Sequence, residues 1–291
     1  MDAPRTPAPR SALSAYRSGD RAWWETAISR VQPNRIEIRG YEIADLIGTL
    51  SFSEMIALLV TGRRLLPAET RLLDAALVAG ADHGPLAPSI AAARMAATCG
   101  VTFNSAVATG INLLGNFHGG AVEDAMELFT ALFEEAAGDD DRLPEIARAS
   151  VAEYRSRREP VPGYGHQLHD RDPRRARLLE LVDQAIADGA IEGNFARVAL
   201  AVEAAVEETV GRPIPMNVDA LSGIVYLELG FPAAVAKGLF SLSRGAGIVA
   251  HALEELQRGS RIKGPCPPEE DLVRYIGPDS PAHGVEPHPT S

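Results

Sequence analysis

Residues 115–137, GNFHGGAVEDAMELFTALFEEAA, join a glycine-rich turn to an amphipathic segment, and this combination favours a helical fold. After Gly119 and Gly120, apolar side chains recur every three to four residues over 121–137, which is the spacing of a helix with one buried face. The same spacing recurs through most of the chain from residue 44 onward. Strands do not alternate with helices, so a Rossmann fold or a β/α barrel is disfavoured. We predict an all-α protein.

The periodicity predicts helices over 51–60, 67–78, 88–98, 105–114, 121–137, 143–158, 174–188, 194–210, 221–229, 232–241 and 247–257. Two of them, 88–98 and 105–114, are rich in alanine and glycine and are expected to pack closely and be buried. Residues 35–39 (RIEIR) alternate polar and apolar side chains and are predicted as a short strand, the only extended piece near the front. The tails 1–12 and 278–291 are expected to be disordered.

Composition limits the class of protein. The chain has 291 residues, of which 46% are hydrophobic, so it can bury a substantial core. No apolar run approaches the ~20 residues that a membrane helix needs, and the first residues lack the apolar centre of a secretory signal. A formal net charge of −11 disfavours a general nucleic-acid binder. Two cysteines, Cys99 and Cys266, make no disulfide framework. We expect a cytoplasmic protein with neither nucleic acid nor membrane as a partner.

Arginine is concentrated in one region of this acidic chain, at Arg155, Arg157, Arg158, Arg171, Arg174, Arg175 and Arg177. A local excess of guanidinium groups suits a small polyanion, because arginine binds phosphates and carboxylates in a bidentate manner. The alternative is an exposed helix face on which these side chains pair with nearby glutamates. The sequence leaves both interpretations open.

Three side chains are candidates for acid–base chemistry: His118, His166 and Asp219. His118 precedes a double glycine and a helix, whose positive end disfavours imidazolium, and a neutral imidazole can donate a hydrogen bond to a carbonyl. His166 lies between a glycine and the arginine-rich region, whereas His169 is interpreted as a loop residue. Structural roles are the alternatives: a capping or packing histidine at 118, and a helix N-cap at Asp219.

Several chemistries find no support in the sequence. No cluster of His, Cys and carboxylate residues has the spacing of metal ligands, so we predict no metal site. The chain carries no Walker loop and no Gly-x-Gly-x-x-Gly before a helix, which disfavours ATP hydrolysis and dinucleotide binding. A serine-hydrolase Gly-x-Ser-x-Gly motif is absent too.

Three segments, 115–121 (GNFHGGA), 162–174 (PGYGHQLHDRDPR) and 217–223 (NVDALSG), together resemble the catalytic constellation of the citrate synthase superfamily. The order of motifs fits from about residue 35 to residue 277. Residues 81–85 (ADHGP) are closer to citryl-CoA lyases and to the citryl-CoA-cleaving part of ATP citrate lyase than to citrate synthases proper.

The resemblance implies an enzyme that makes or breaks the carbon–carbon bond between acetyl-CoA and oxaloacetate. His118 would polarise the thioester carbonyl of the acyl-CoA, Asp219 would remove the α-proton, and His166 would protonate the keto oxygen. The residues implied to bind substrate carboxylates are His83, Arg174 and Arg244. Those implied to contact coenzyme A are Gly165, Arg171 and Arg175. No cofactor is bound covalently, because the coenzyme A thioester is itself the substrate.

Two departures from the family pattern bear on the direction of the reaction. Gln167 stands where an arginine usually follows the histidine, in a loop one residue shorter. Cys266 stands where citrate synthases usually carry an arginine that is given to the neighbouring subunit, and Arg261 or Lys263 would have to substitute. One substrate carboxylate thus lacks its usual partner, which favours a citryl-CoA lyase over a synthase.

The resemblance also implies a large domain of residues 13–119 and 244–277, a smaller domain of residues 120–243, and a site in the cleft between them. The expected partners are an acyl-CoA with a small keto acid, or citryl-CoA, and a second copy of the chain in a homodimer. The alternatives to the lyase are a citrate or 2-methylcitrate synthase and a non-catalytic paralogue that binds coenzyme A or carboxylates.

Overall fold

The computed structural model describes residues 24–165 and 172–264. In chain order the strands are β1 (Ser29–Gln32), β2 (Arg35–Ile38) and β3 (Tyr41–Glu42). The helices are α1 (Ile43–Leu46), α2 (Phe52–Thr61), α3 (Pro67–Gly80), α4 (Pro88–Thr98), α5 (Phe103–Ile111), α6 (Ala121–Ala136), α7 (Leu143–Arg157), α8 (Pro173–Ala187), α9 (Asn194–Val210), α10 (Val218–Glu228) and α11 (Ala236–Arg258). Helices dominate, and the predicted all-α class is confirmed.

A small antiparallel sheet, ordered β1-β2-β3, precedes the helices. The sequence predicts only β2, so the expectation of a single extended piece near the front is wrong. Arg39 and Gly40 both have positive φ, 49° and 87°, which is the conformation of a two-residue turn that matches the twist of a hairpin. This turn places Tyr41 opposite Ile38 and so creates β3.

The last helix is longer than predicted. Helices are predicted over 232–241 and 247–257, but the chain forms the single helix α11 across that interval. Gly245 lies in the predicted gap, and a glycine inside a helix costs about 1 kcal/mol relative to alanine. Leu239 and Ile248 are both buried, and such packing on either side of the gap outweighs the propensity cost.

The chain packs into two compact units, of which the first comprises Met1–Asp82 and Leu114–Arg244. In this unit α10 contacts α3, α6, α8 and α9, so α10 lies at the centre of the packing. Phe129, Tyr226 and Phe231 are fully buried there, and the rings of Tyr226 and Phe231 meet edge-on at 6.1 Å. A helix held on several sides provides a rigid position for the side chains at its ends.

The second unit comprises His83–Leu113 and Gly245–Ser291. Its core is formed by α4, α5 and the second half of α11, with Ile90 and Ile248 fully buried. A Cβ atom added to Gly110 would lie 2.7 Å from the carbonyl oxygen of Ser89, so α5 can approach α4 this closely only through glycine. The predicted close packing of the two small-residue helices is confirmed for one face of each helix, while the opposite face of α5 is exposed.

The domain boundaries derived from the family resemblance, 13–119 with 244–277 and 120–243, differ from the limits of these units. Domains that close over a substrate are defined by their motion, so those boundaries stay a prediction. The tails expected to be disordered, 1–12 and 278–291, lie outside the described residues.

A buried carboxylate anchors the chain after α11 in the second unit. Glu255 is fully buried and forms ion pairs with Arg94 and with Lys263, whose Nζ lies 3.3 Å away. Burial by itself would raise the pKa of Glu255, but the Ser260 hydroxyl and the two cations outweigh it, and the net shift of the pKa is downward. The carboxylate is therefore ionised at neutral pH and holds the segment 260–263 close to α4.

Glu255→Gln should destabilise the second unit strongly, because it leaves Arg94 without its buried counter-charge. We expect a loss on the order of 3 kcal/mol in the free energy of unfolding at pH 7, measured by urea denaturation. Since the pKa of Glu255 is lowered in the folded state, the loss should shrink as the pH falls below the ordinary carboxyl range. Glu254→Gln is the matched control, because Glu254 also contacts Arg94 but is 45% exposed. Equal effects of the two substitutions would contradict the assignment.

Candidate active site

A tight turn presents His118 at the start of α6. The backbone N–H groups of Gly115 and His118 each donate to the carbonyl of the other, both at 3.0 Å. Gly119 has a φ of +85°, and a Cβ atom there would lie 2.6 Å from the ring of Phe240. Gly120 is the N-cap of α6. The double glycine thus lets the turn lie directly against α11.

His118 is half-buried, and its imidazole lies in a positive environment. Burial lowers the pKa of His118 first, and the positive charge of Arg244 lowers it further. The direction agrees with the neutral imidazole expected from the sequence.

Asp219 lies in the first turn of α10 without capping it. The N-cap is Asn217, whose side-chain oxygen accepts a hydrogen bond at 2.9 Å from the N–H of Asp219. The alternative interpretation of Asp219 as the helix cap is therefore wrong, and this cap starts α10 three residues before its predicted beginning. Within residues 24–165 and 172–264, Oδ1 of Asp219 is the one buried side-chain N or O atom without a hydrogen-bond partner.

The carboxyl of Asp219 has a pKa well above that of an ordinary aspartate. Burial raises the pKa of Asp219 to about 6, even though Arg174 and Arg244 act in the opposite direction, and Asp172 raises the pKa further. A buried carboxylate that makes no hydrogen bond through one oxygen is costly, so such groups are concentrated at functional sites. At neutral pH this carboxyl is mostly ionised and ready to accept a proton.

The segment Gly163–Gly165 is hydrogen-bonded to the residues that precede α10. Asn217 donates to the carbonyl of Gly163 through its backbone and to that of Gly165 through its side chain, both at 2.9 Å. Gly163 has a φ of +85°, and a Cβ atom there would lie 2.7 Å from Cβ of Ala220. These contacts place Gly165 beside the start of the Asp219 helix. His166 and Arg171, both predicted site residues, and His169 lie outside the described residues.

Two arginine side chains donate hydrogen bonds to carbonyl groups at the carboxyl end of α3. Arg244 is 3% exposed, and its Nε donates a hydrogen bond to the carbonyl of Gly80 at 2.8 Å. Its guanidinium lies over the Phe240 ring, 4.9 Å from the ring centroid. Nη1 of Arg174 donates to the carbonyl of Ala79 at 3.2 Å. Burial lowers the pKa of Arg244, with Asp82 and Asp219 opposing this shift. Both guanidinium groups are thus fixed by the same helix end.

Of the predicted binding residues, Arg174 and Arg244 lie in the first unit, which also contains His118 and Asp219. The charges of Arg174, Arg244 and Asp219 act on one another. Arg175 pairs with Glu203 through Nε at 2.8 Å and through Nη2. His83 is the first residue of the second unit and is partly buried. The roles assigned to these residues stay predictions.

Of the two substitutes considered for the missing C-terminal arginine, Lys263 is paired with Glu255, and Arg261 is exposed. Cys266 lies outside the described residues.

Three residues that shape this site are not among the predicted site residues: Asp172, Phe240 and Gly80. Asp172 precedes Pro173, and an aspartate before a proline at the first helical position is a recognisable N-cap signal. Phe240 lies one helical turn before Arg244, so both residues share a face of α11. Gly80 could not be identified from the sequence, because the need for glycine arises only in the folded protein. A Cβ atom added at Gly80 would lie 2.7 Å from Oγ of Ser243.

A cavity of about 520 Å³ lies in the first unit between the carboxyl ends of α7 and α9 and the loop that leads to Tyr164. Valine and isoleucine side chains form much of its walls, and its charged lining residues are three arginines and one glutamate: Arg155, Arg158, Arg212 and Glu159. Apolar walls with guanidinium groups suit a ligand that combines a flat apolar body with anionic groups.

Neither a metal site nor a membrane span is found in the part of the chain that the structure describes. No group of three or more His, Cys, Asp or Glu side chains in 24–165 and 172–264 has a metal-binding arrangement. Among the helices of those residues, none is long and apolar enough to cross a bilayer.

Residues 63–265 match the family "Citrate synthase, C-terminal domain". The chain belongs to the citrate synthase family. Among solved structures, a citryl-CoA lyase from Hydrogenobacter thermophilus is similar with a TM-score of 0.76 and 34% identity, covering 89% of this chain and 96% of that chain. An ATP citrate lyase from Methanothrix soehngenii, solved with citrate and coenzyme A, has a TM-score of 0.74 and covers 96% of this chain and 46% of that chain. Its 23% identity supports similarity of fold alone.

Among curated family members, the citrate synthase of Saccharolobus solfataricus is 29% identical over 231 residues. The match covers 79% of this chain but 58% of the relative, so the chain spans little more than half the length of that citrate synthase.

Proposed function

We propose that this citrate synthase family member is a citryl-CoA lyase, which cleaves citryl-CoA to acetyl-CoA and oxaloacetate. The observation that carries the proposal is the buried carboxylate of Asp219, whose Oδ1 has no partner among the described residues and whose pKa is raised to about 6. Such a group suits the transfer of a proton to or from carbon. The half-buried His118, with its lowered pKa, supplies a neutral donor in the same unit.

In the cleavage direction, a base removes the proton of the citryl hydroxyl, the bond between that carbon and the acetyl CH₂ breaks, and the electron pair moves into the thioester as an enolate. His118 would donate a hydrogen bond to the enolate oxygen, where negative charge develops. Asp219, protonated in this step of the cycle, would give its proton to the CH₂ carbon and so form the methyl group of acetyl-CoA. His166 is proposed as the base for the hydroxyl, from the family resemblance.

The two arginines fixed at the end of α3 are proposed to bind carboxylates of the substrate. Arg244 is buried and held by one N–H, to Gly80, with its guanidinium stacked on Phe240. An arginine held in this way loses little conformational entropy when it binds a carboxylate. His83 is proposed as a third carboxylate-binding group on the family resemblance.

Two observations favour the lyase over a citrate or 2-methylcitrate synthase. The similarity to the Hydrogenobacter lyase extends over 96% of that chain at 34% identity, against 58% of the Saccharolobus citrate synthase at 29% identity. Lys263, considered as a substitute for the missing arginine, is paired with the buried Glu255. A lyase tolerates a missing carboxylate partner better than a synthase, because its substrate is also held through coenzyme A.

We further propose that the cavity beside Tyr164 binds the nucleotide part of coenzyme A. Arg158→Gln with Arg212→Gln should raise KM for the coenzyme A thioester roughly ten- to hundredfold with little change in kcat, since charge-assisted hydrogen bonds contribute about 1.5–3 kcal/mol. Arg177→Gln is the control, because Arg177 lies on the same unit but forms an exposed pair with Glu180. An unchanged KM in the double variant would remove the cavity from the coenzyme A site.

The proposed activity is tested with dialysed protein and two substrate mixtures. Citryl-CoA should be cleaved to oxaloacetate, detected by coupled reduction with malate dehydrogenase, at a rate far above that of thiol release. Acetyl-CoA with oxaloacetate should release little thiol. Rapid thiol release from that mixture would identify a synthase, and inertness in both mixtures with coenzyme A binding retained would identify a non-catalytic paralogue.

A further inference from the structure

Asp172 binds Arg174 through both of its carboxylate oxygens. Oδ1 accepts from the backbone N–H of Arg174 at 3.0 Å and from its Nε at 2.8 Å, and Oδ2 accepts from Nη2 at 2.6 Å. The side chain of Asp172 is 1% exposed. With Nη1 bonded to the carbonyl of Ala79, the guanidinium is fixed from two sides. Of its five N–H groups, two remain for other partners.

Oδ1 of Asp219 has no hydrogen-bond partner in the described part of the chain, although cations act on this carboxylate from two elements. Among the described residues, the charged and titratable groups that act on it electrostatically are Arg174 and Asp172 at the start of α8, Arg244 on α11, and Tyr226 on its own helix. A buried carboxylate near a guanidinium ordinarily forms a bidentate pair. Arg244 is held by Gly80 and Phe240, and Arg174 is held by Asp172, so each arginine is bonded elsewhere.

We propose that Asp172 is a positioning residue: by occupying the Nε–Nη2 edge of Arg174 it withholds that guanidinium from Asp219 and keeps the Asp219 carboxylate unpaired. The inference rests on the proposed role of Asp219 as the proton-transfer group. A carboxylate in a bidentate pair with arginine is a weaker base than an unpaired buried one. The same contact fixes Arg174 for its proposed role in binding a substrate carboxylate.

Asp172→Asn tests the proposal, because asparagine keeps the helix cap but removes the charge and one acceptor. Two effects then act on Asp219 in the same direction: a nearby negative charge is lost, and Arg174 is released. The pKa of Asp219 should fall. In the exchange of acetyl-CoA methyl protons with solvent, where Asp219 acts as the base, the acid limb of the pH–rate profile should therefore move to lower pH by on the order of one unit. Arg174→Met should move the acid limb to higher pH, since a cation is lost while Asp172 keeps its charge.

The matched control is Glu203→Gln, which breaks the neighbouring ion pair with Arg175 on the same helix. Neither Glu203 nor Arg175 contributes to the pKa shift of Asp219, so the acid limb should stay in place. A shift of equal size in this control would mean that the pH profile reports general loosening of α8, and the proposal would fail.

A readout independent of activity separates this inference from the proposed function. Aspartate-selective ¹³C labelling, with Asp219→Asn used for assignment, gives the titration of Asp219 in wild type and in Asp172→Asn. A lower pKa in the variant is the expected result, and an unchanged pKa overturns the inference whatever the activity. If the pKa shifts but Asp219→Asn keeps full activity, the positioning role stands and the proposed function fails.

Discussion

Asp219→Asn should reduce kcat by on the order of 10²–10⁴-fold while changing KM much less, because proton transfer by a positioned carboxyl contributes about that factor. Asparagine has the same shape and fits the same place at the start of α10, where Asn217 still caps the helix. Steady-state cleavage of citryl-CoA, measured through oxaloacetate, gives both constants. Coenzyme A binding should be retained.

The same substitution should leave the protein as stable or more stable. The folded state raises the pKa of Asp219 to about 6, so ionisation of this group opposes folding above that pH and has no effect below the ordinary pKa of aspartate. The gain in Tm should therefore be larger at pH 7 than at pH 4. A variant that unfolds readily while keeping its specific activity would show that Asp219 is a structural residue.

His118→Ala should slow exchange of the acetyl-CoA methyl protons with deuterated solvent by roughly 10²–10³-fold, which is the typical effect of removing one donor to a developing oxyanion. Mass spectrometry of acetyl-CoA incubated with the protein gives the exchange rate without the second substrate. Phe117→Ala is the matched control, since Phe117 lies in the same turn with a fully exposed side chain. Unchanged exchange in His118→Ala would remove this histidine from the mechanism.

The helical plan follows from residue spacing because the core of this protein is built from amphipathic helices. The helix predicted over 88–98 is α4, and that over 194–210 is α9, with the same limits. Errors arise where tertiary contacts outweigh local preference. Glycines did not divide α11, since the helix is packed on both sides of them, and β3 depends on the conformation of one two-residue turn.

The sequence proposes the residues of the candidate site, but it does not give their environment. The motifs identify His118 and Asp219, yet the sequence does not show that Oδ1 of Asp219 is buried without a partner. Nor does it show that Arg174 is held by Asp172, because that pairing depends on how α8 starts and on its contact with α3. The pKa of a carboxyl is set by such neighbours and by burial, which spacing along a chain does not specify.

The proposed lyase reaction is tested most directly by cleavage of citryl-CoA by the wild-type protein in deuterated water, with the products analysed by mass spectrometry. If an enolate forms and receives its proton from a solvent-exchanged Asp219, acetyl-CoA sampled early in the reaction, before it re-enolises, should carry one deuterium in its methyl group. One equivalent of oxaloacetate should be formed with it. Hydrolysis of the thioester would instead release citrate and free coenzyme A without acetyl-CoA, and that result would contradict the proposed carbon–carbon bond cleavage.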